Sequence, residues 1–297
     1  MAVNRGYSYR HVLDRTSLGN TTLGYLVKTF AHSTEAEWQA RLEAGEVQLD
    51  NQQAHGQERL KPGSVLIWNR PGWIEESTPQ SFDMIFQDTH ILVVNKPGGL
   101  PTLPGAGFYE NTLLSLVQRE FPEARPLHRL GRATSGLVLF ARDASTASAL
   151  SQSWPRVQKQ YLALGSGVAL SSTYDIRASI GLEDHPRLGK VHAASFNGKI
   201  ARSIARPLER RVDTTVFEVD LLTGRPHQIR IHLAFIGHPL EGDPLYAAGG
   251  LPRPDQPGLP GDAGYWLHAR KLVFEHPVTG VRLDLTSPAP EILRTPP

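Results

Sequence analysis

Short apolar runs separated by turn residues most constrain what this chain can fold into. Twenty-seven glycines and 23 prolines punctuate 297 residues, a composition that suits a strand-rich fold with numerous turns. His90–Val94 and Gly136–Ala141 read as buried strands, and Lys159–Leu164 and Thr214–Leu222 alternate as half-buried strands do. Leu272–His276 and Val281–Leu285, joined by Pro-Val-Thr-Gly, predict a hairpin. Between the strands, Asn111 is placed to cap a helix whose Leu113, Leu114, Val117 and Phe121 share a face, and Ala144–Trp154 reads as another helix. Without a regular βαβ alternation, the pattern predicts an α+β domain with a mixed, mostly antiparallel sheet. Pro-rich stretches at 252–260 and 287–297 are expected as surface loop and tail.

The first quarter has a different texture. Leu23, Leu26, Val27 and Phe30 recur at helical spacing. Thr34 and Glu37 form a capping box that opens a second helix carrying Trp38 and Leu42, and Gly45 stops it. A short strand, Val47–Leu49, an Asp50-Asn51 turn and the run Val65–Trp68 follow. This predicts a small α/β domain over 15–75, a linker over 70–81, and a second domain over 82–290.

Composition excludes several chemistries. With no cysteine, the chain has no disulfide, no thiolate nucleophile and no cysteine-based zinc site. His227 and His232 are five residues apart, so they do not share a helix face as paired metal ligands would, and no metal is expected. The apolar runs are too short to span a bilayer, and the first residues lack the apolar core of a secretory signal, so a cytoplasmic protein is expected. The formal charge of +2 is compatible with nucleic acid without arguing for it.

Three segments are more polar than a purely structural strand or helix requires. In LHRLGRATSGLVLFAR, His128, Arg129, Arg132, Thr134 and Ser135 crowd a loop before a buried strand, where they could hold phosphate or sugar oxygens or simply satisfy a turn. In TGRPHQIR, Arg225, His227, Gln228 and Arg230 fall at a strand-to-helix junction. In VQKQYLAL, Lys159 and Tyr161 share a strand face, and a tyrosine facing a cleft offers a stacking ring and a hydroxyl.

Taken in order, NKPGGLP, HRLGRATSGL, KQYLAL, TGRPHQIRIHL…GHPLEGDPLY and LHARKLVFEHPVTG resemble the RluA family of RNA pseudouridine synthases from about Phe82 to Pro288. RLEAGEVQLDNQQA with LKPGSVLIW resembles the alpha-L RNA-binding motif, although Lys28 and Arg41 stand there among Glu35, Glu37, Glu43 and Glu46, which equally fits a docking module. The resemblance implies a cofactor-free isomerase that acts on a uridine of ribosomal or transfer RNA; no DNA or membrane partner is expected, and the sequence does not fix the oligomeric state, a monomer being the expectation. It implies that Arg129 fills the space left by the flipped base and that Tyr161 stacks on it. Arg225 would pair with a catalytic aspartate, and His128, Arg132, Thr134, Gln228 and Arg230 would contact RNA. The aspartate position itself is Gly131, which can neither attack a sugar nor accept a proton. Three readings follow: another carboxylate (Asp143, Asp220 or Asp243) moves in, the protein binds structured RNA without isomerising it, or the site serves another reaction on a nucleotide.

Overall fold

The computed structural model describes residues 3–30, 32–255 and 258–295. The chain divides into two compact units, Met1–Glu75 and Glu76–Pro297.

The first unit holds β1 (Tyr7–Val12), α1 (Thr22–Thr29), α2 (Glu35–Glu43), β2 (Val47–Leu49), β3 (Gln52–Gln53) and β4 (Val65–Arg70). Its antiparallel sheet runs β1-β4-β2-β3. The expected capping box is present: Thr34 Oγ1 accepts from the Glu37 amide, and Glu37 accepts from the Thr34 amide. Asp50 and Asn51 both take positive φ in the two-residue turn between β2 and β3, which suits a twisted hairpin. Leu26, Trp38, Leu42, Val47 and Leu66 form the core. Strand β1 lies upstream of residue 15. Its sequence, YSYRHV, is almost wholly solvent-exposed, so no apolar alternation marked it.

The second unit is built on one large sheet. Its elements begin with β5 (Asp83–Gln87), β6 (Ile91–Lys96), α3 (Leu113–Glu120), β7 (Arg125–Pro126), β8 (Ser135–Ala141), α4 (Ala144–Ser153) and β9 (Gln158–Ser166). They continue with β10 (Tyr174–Ile176), β11 (Ile180–His185), β12 (Gly189–Ala194), β13 (Ser203–Arg210), β14 (Thr214–Leu221), α5 (Gln228–Phe235), β15 (Tyr246–Ala247), β16 (Leu251–Pro252), β17 (Leu267–Glu275) and β18 (Arg282–Thr286). The sheet order is β10-β13-β14-β9-β17-β8-β6-β5, with β18 beside β17 and β7 beside β8. Among the described residues only the β17–β8 pairing is parallel, so the fold is α+β with a mixed, mostly antiparallel sheet.

Strand β17 begins at Leu267, upstream of the expected hairpin, and its first residues join β9 to β8. A Cβ at Gly136 would stand 2.3 Å from the Ala269 carbonyl oxygen. Only glycine permits that close approach, and it fixes where the 127–135 loop enters the sheet. Asn111 does not cap α3. Thr112 does, accepting from the Ser115 amide, while Asn111 donates to the Glu76 carbonyl. The 70–81 stretch is not a plain exposed linker: β4 extends to Arg70, and Glu75 and Thr78 are buried. The Pro-rich stretches reach residues 256–257 and 296–297, which lie outside the described residues; Ala289 and Leu293 pack in a buried cluster with Leu162 and Val216.

Candidate active site

Beside the sheet lies a cleft of about 550 Å³. Its walls come from the loop before β8, from β9, and from the junction between β14 and α5, together with Pro260–Tyr265. It gathers His128, Arg129, Gly131, Thr134, Tyr161, Arg225, Gln228 and Arg230, eight positions singled out from three separate segments of sequence.

The loop carrying Gly131 is held from beneath. The Lys96 ammonium, fully buried, donates to the carbonyls of Pro97 (2.9 Å), Leu100 (2.6 Å) and Arg132 (3.3 Å). Burial pushes Lys96 down to about 7. Thr102 Oγ1 donates to the Leu130 carbonyl and accepts from the Leu130 amide, and the Gly99 amide donates to the Arg132 carbonyl. The backbone is therefore fixed on both sides of Gly131. Polar atoms of the NKPGGLP-x segment do this work, although the sequence marked it only as a motif.

Arg132 is the predicted site residue that does not line the cleft. Its guanidinium donates to the Gly99 carbonyl, pairs with Glu76 and lies over the Phe108 ring. Gln228 lines the cleft, but its amide is spent. The side-chain oxygen accepts from Thr223 Oγ1 and the Arg225 amide, and the nitrogen donates to the Arg202 carbonyl and Ser203 Oγ. That uses both donors and both lone pairs, so Gln228 braces the junction and has no hydrogen bond left for RNA.

The two arginines of TGRPHQIR also differ. Arg225, half-buried, donates through Nε to the Ile200 carbonyl at 3.0 Å and has no ion pair among the described residues. Arg230 is only 2% exposed and makes a bidentate pair with buried Asp243, both bonds at 2.7 Å. Asp243 Oδ1 also accepts from the Leu245 and Tyr246 amides. The other two carboxylate candidates are equally committed: Asp143 caps α4 through the Thr146 amide, and Asp220 pairs with Arg206. No carboxylate lines the cleft among the described residues.

Tyr161 projects from β9, between Val219 of β14 and Ala269 of β17. It is 8% exposed, and burial raises its hydroxyl to about 12, so it keeps its proton at neutral pH. Lys159 lines the same face, lies over the Trp154 ring and is lowered by burial. His128 stacks on Trp154, accepts from the Leu139 amide through Nε2, and is pushed to about 3 by burial and then by Lys159. A ring nitrogen that accepts a backbone hydrogen bond belongs to the neutral form. His227, in the left-handed region at φ 54°, bonds Tyr246 through Nδ1 and is lowered to about 4 by burial and then by Arg230.

Tyr265 is a cleft residue that sequence reasoning missed, as are Trp154, Pro260 and Gly261. It sits just ahead of the LHARKLVF match, where a tyrosine before a buried strand reads as packing. An ideal Cβ at Gly131 would lie 2.9 Å from its hydroxyl oxygen and 3.5 Å from Thr134 Oγ1.

The second unit has the fold of a pseudouridylate synthase domain. The family model described as RNA pseudouridylate synthase matches residues 90–235. The solved human RNA pseudouridylate synthase domain containing 1 aligns at a TM-score of 0.57 and 25% identity, covering 74% of this chain and 89% of its own. An uncharacterised RNA pseudouridine synthase of Synechocystis is 37% identical over 92% of this chain and 96% of its own length. RNA pseudouridine synthase 5 of Oryza sativa is 33% identical, covering 98% and 89%. The ribosomal large subunit pseudouridine synthase D of Xylella fastidiosa is 34% identical, covering 92% and 86%. The chain belongs to the RNA pseudouridine synthases of the RluA type, a family of isomerases.

Proposed function

We propose that this chain isomerises a uridine of ribosomal RNA in the cytoplasm, as a monomer, and that the 550 Å³ cleft takes the flipped nucleotide. One observation carries the reading: Arg129, Lys159 and Arg225 ring a cleft that presents the Tyr161 ring and has no acidic wall among the described residues. Cations at the mouth attract the phosphodiester backbone, and Arg129, exposed on the loop, fills the gap left in the RNA. Extrusion costs a few kcal/mol, offset by stacking on Tyr161 and by phosphate contacts. Tyr161 keeps its hydroxyl proton and so serves as a donor to the base. The relative named for the large ribosomal subunit supports a ribosomal target.

The test is pseudouridine mapping of total RNA from cells with and without the gene, repeated with purified chain on ribosomal RNA. At least one position should lose its pseudouridine in the deletion and regain it in vitro. If every pseudouridine survives deletion, the isomerase reading fails. A second reading rests on the missing carboxylate: the protein binds structured RNA without isomerising it. Retained binding with no pseudouridine formed would select it.

A further inference from the structure

The missing aspartate and Tyr265 are spatially linked. Gly131 is not among the positive-φ glycines, so its backbone would accept a side chain. The obstacle is the Tyr265 hydroxyl, 2.9 Å from where the Cβ would stand and closer than two such atoms can approach. Tyr265 is 5% exposed, its hydroxyl lies 3.4 Å from Thr134 Oγ1, and the Arg230 guanidinium sits 4.3 Å from its ring centroid. The ring is thus held on two sides, with its oxygen in the space where a side chain at 131 would enter the cleft.

We propose that the Tyr265 hydroxyl oxygen is the catalytic nucleophile of this site, attacking ribose C1′ of the bound uridine in place of a carboxylate at position 131. The assignment rests on the isomerase reading. The competing groups on the cleft wall are less suited. No atom of Tyr161 comes within 4 Å of the Cβ position at 131, and Lys159 is turned to the Trp154 carbonyl and ring. Thr134 offers only an aliphatic hydroxyl, a weaker acid than a phenol. Tyrosine nucleophiles at a sugar C1-type centre have precedent in glycosidic bond cleavage.

The steps balance. Tyr265 releases its proton to solvent, its oxygen bonds to C1′, and the C1′–N1 electron pair leaves with uracil as the anion. The uracil turns within the cleft, its C5 attacks C1′, and the C1′–Oη pair returns to the tyrosine oxygen. C5 then loses its proton, N1 takes one up and the tyrosine oxygen regains a proton from solvent, giving an isomer with no oxidation or reduction. A covalent aryl glycoside on Tyr265 is the distinctive intermediate.

The experiment uses the full chain with a ribosomal RNA transcript, with and without 5-fluorouridine. Fluorine weakens C5 as a nucleophile and leaves it no proton to lose, so the aryl glycoside should accumulate. Peptide mass mapping of the wild type should place the nucleoside adduct on Tyr265. Tyr265→Phe keeps the ring over Arg230; kcat should fall about 10³-fold or more, with KM within about threefold. An adduct on Lys159 or Tyr161, or a Tyr265→Phe variant within about tenfold of the wild-type kcat, overturns the assignment while leaving the isomerase reading intact. A wild type that forms no pseudouridine overturns both.

Discussion

Two motif segments face each other across the cleft, and they are held in opposite ways. The loop Leu127–Thr134 is fixed through its backbone by Lys96, Gly99 and Thr102 from a neighbouring segment, which leaves Arg129 exposed on it. The segment Thr223–Arg230 is fixed through its own side chains, with Gln228 and Arg230 committed to internal bonds. A polar residue in a motif is therefore not automatically a ligand contact. Its available donors and lone pairs decide.

The sharpest way to break this comparison is to remove the internal partner of the second segment. Asp243→Asn should leave the buried Arg230 charge uncompensated and cost about 3–5 kcal/mol, read by denaturant unfolding. A loss below about 1 kcal/mol would mean that the junction is not braced by this pair. For the first loop, Lys96→Met leaves the Pro97 and Leu100 carbonyls without the lysine donor and the Arg132 carbonyl with the Gly99 amide alone, and about 2–3 kcal/mol of stability should go. Hydrogen exchange should quicken most at the amides of Leu130 and Thr134, and protection unchanged there would place the anchor elsewhere.

Acid should weaken both segments together, because each contains a histidine kept neutral. His128 and His227 are lowered from 6.5 to about 3 and about 4 when folded. Below 6.5 the unfolded chain takes up protons that the folded chain refuses. Stability is thus greatest above 6.5 and falls as pH drops towards 4, by up to roughly 1.4 kcal/mol per pH unit for each histidine, less for the part still wetted by solvent. Unfolding curves at pH 7 and pH 5 measure it; equal stability at both would show that neither ring is held neutral.

The smallest effect belongs to Arg132, which resembles a phosphate contact in sequence yet pairs with Glu76. Arg132→Ala should change RNA affinity less than about twofold and cost under about 1 kcal/mol of stability. Arg225→Ala should instead weaken binding and reduce the salt slope by about one. Reversed results would exchange the two assignments.

Much of this was readable from the residues, and the failures have identifiable causes. The buried strands and the capping box were visible because burial and local hydrogen bonding impose a period or a spacing. Strand β1 carries little apolar signal, and the β11–β12 hairpin, with its mixed EDH and GKVH sequences, carries no clear alternation. At the cleft, sequence order brought forward the right segments but could not tell that Gln228 spends its amide internally, because its partners Arg202 and Ser203 are about 25 residues away. Tyr265 and Gly131 are separated by 134 positions, as HRLGR and GYWLHAR stand in the chain. Their competition for one volume exists only after folding.

Strand β17 has a consequence for how the second unit can be made. It lies between β9 and β8 in the sheet order and joins the half formed by β10, β13, β14 and β9 to the half formed by β8, β6 and β5. All the strands it joins are synthesised earlier. During translation the two half-sheets must wait with open edges until Leu267–Glu275 arrives to link them. The protein is thus assembled by its next-to-last strand, and a stop codon before that strand would yield two half-sheets rather than a shortened enzyme.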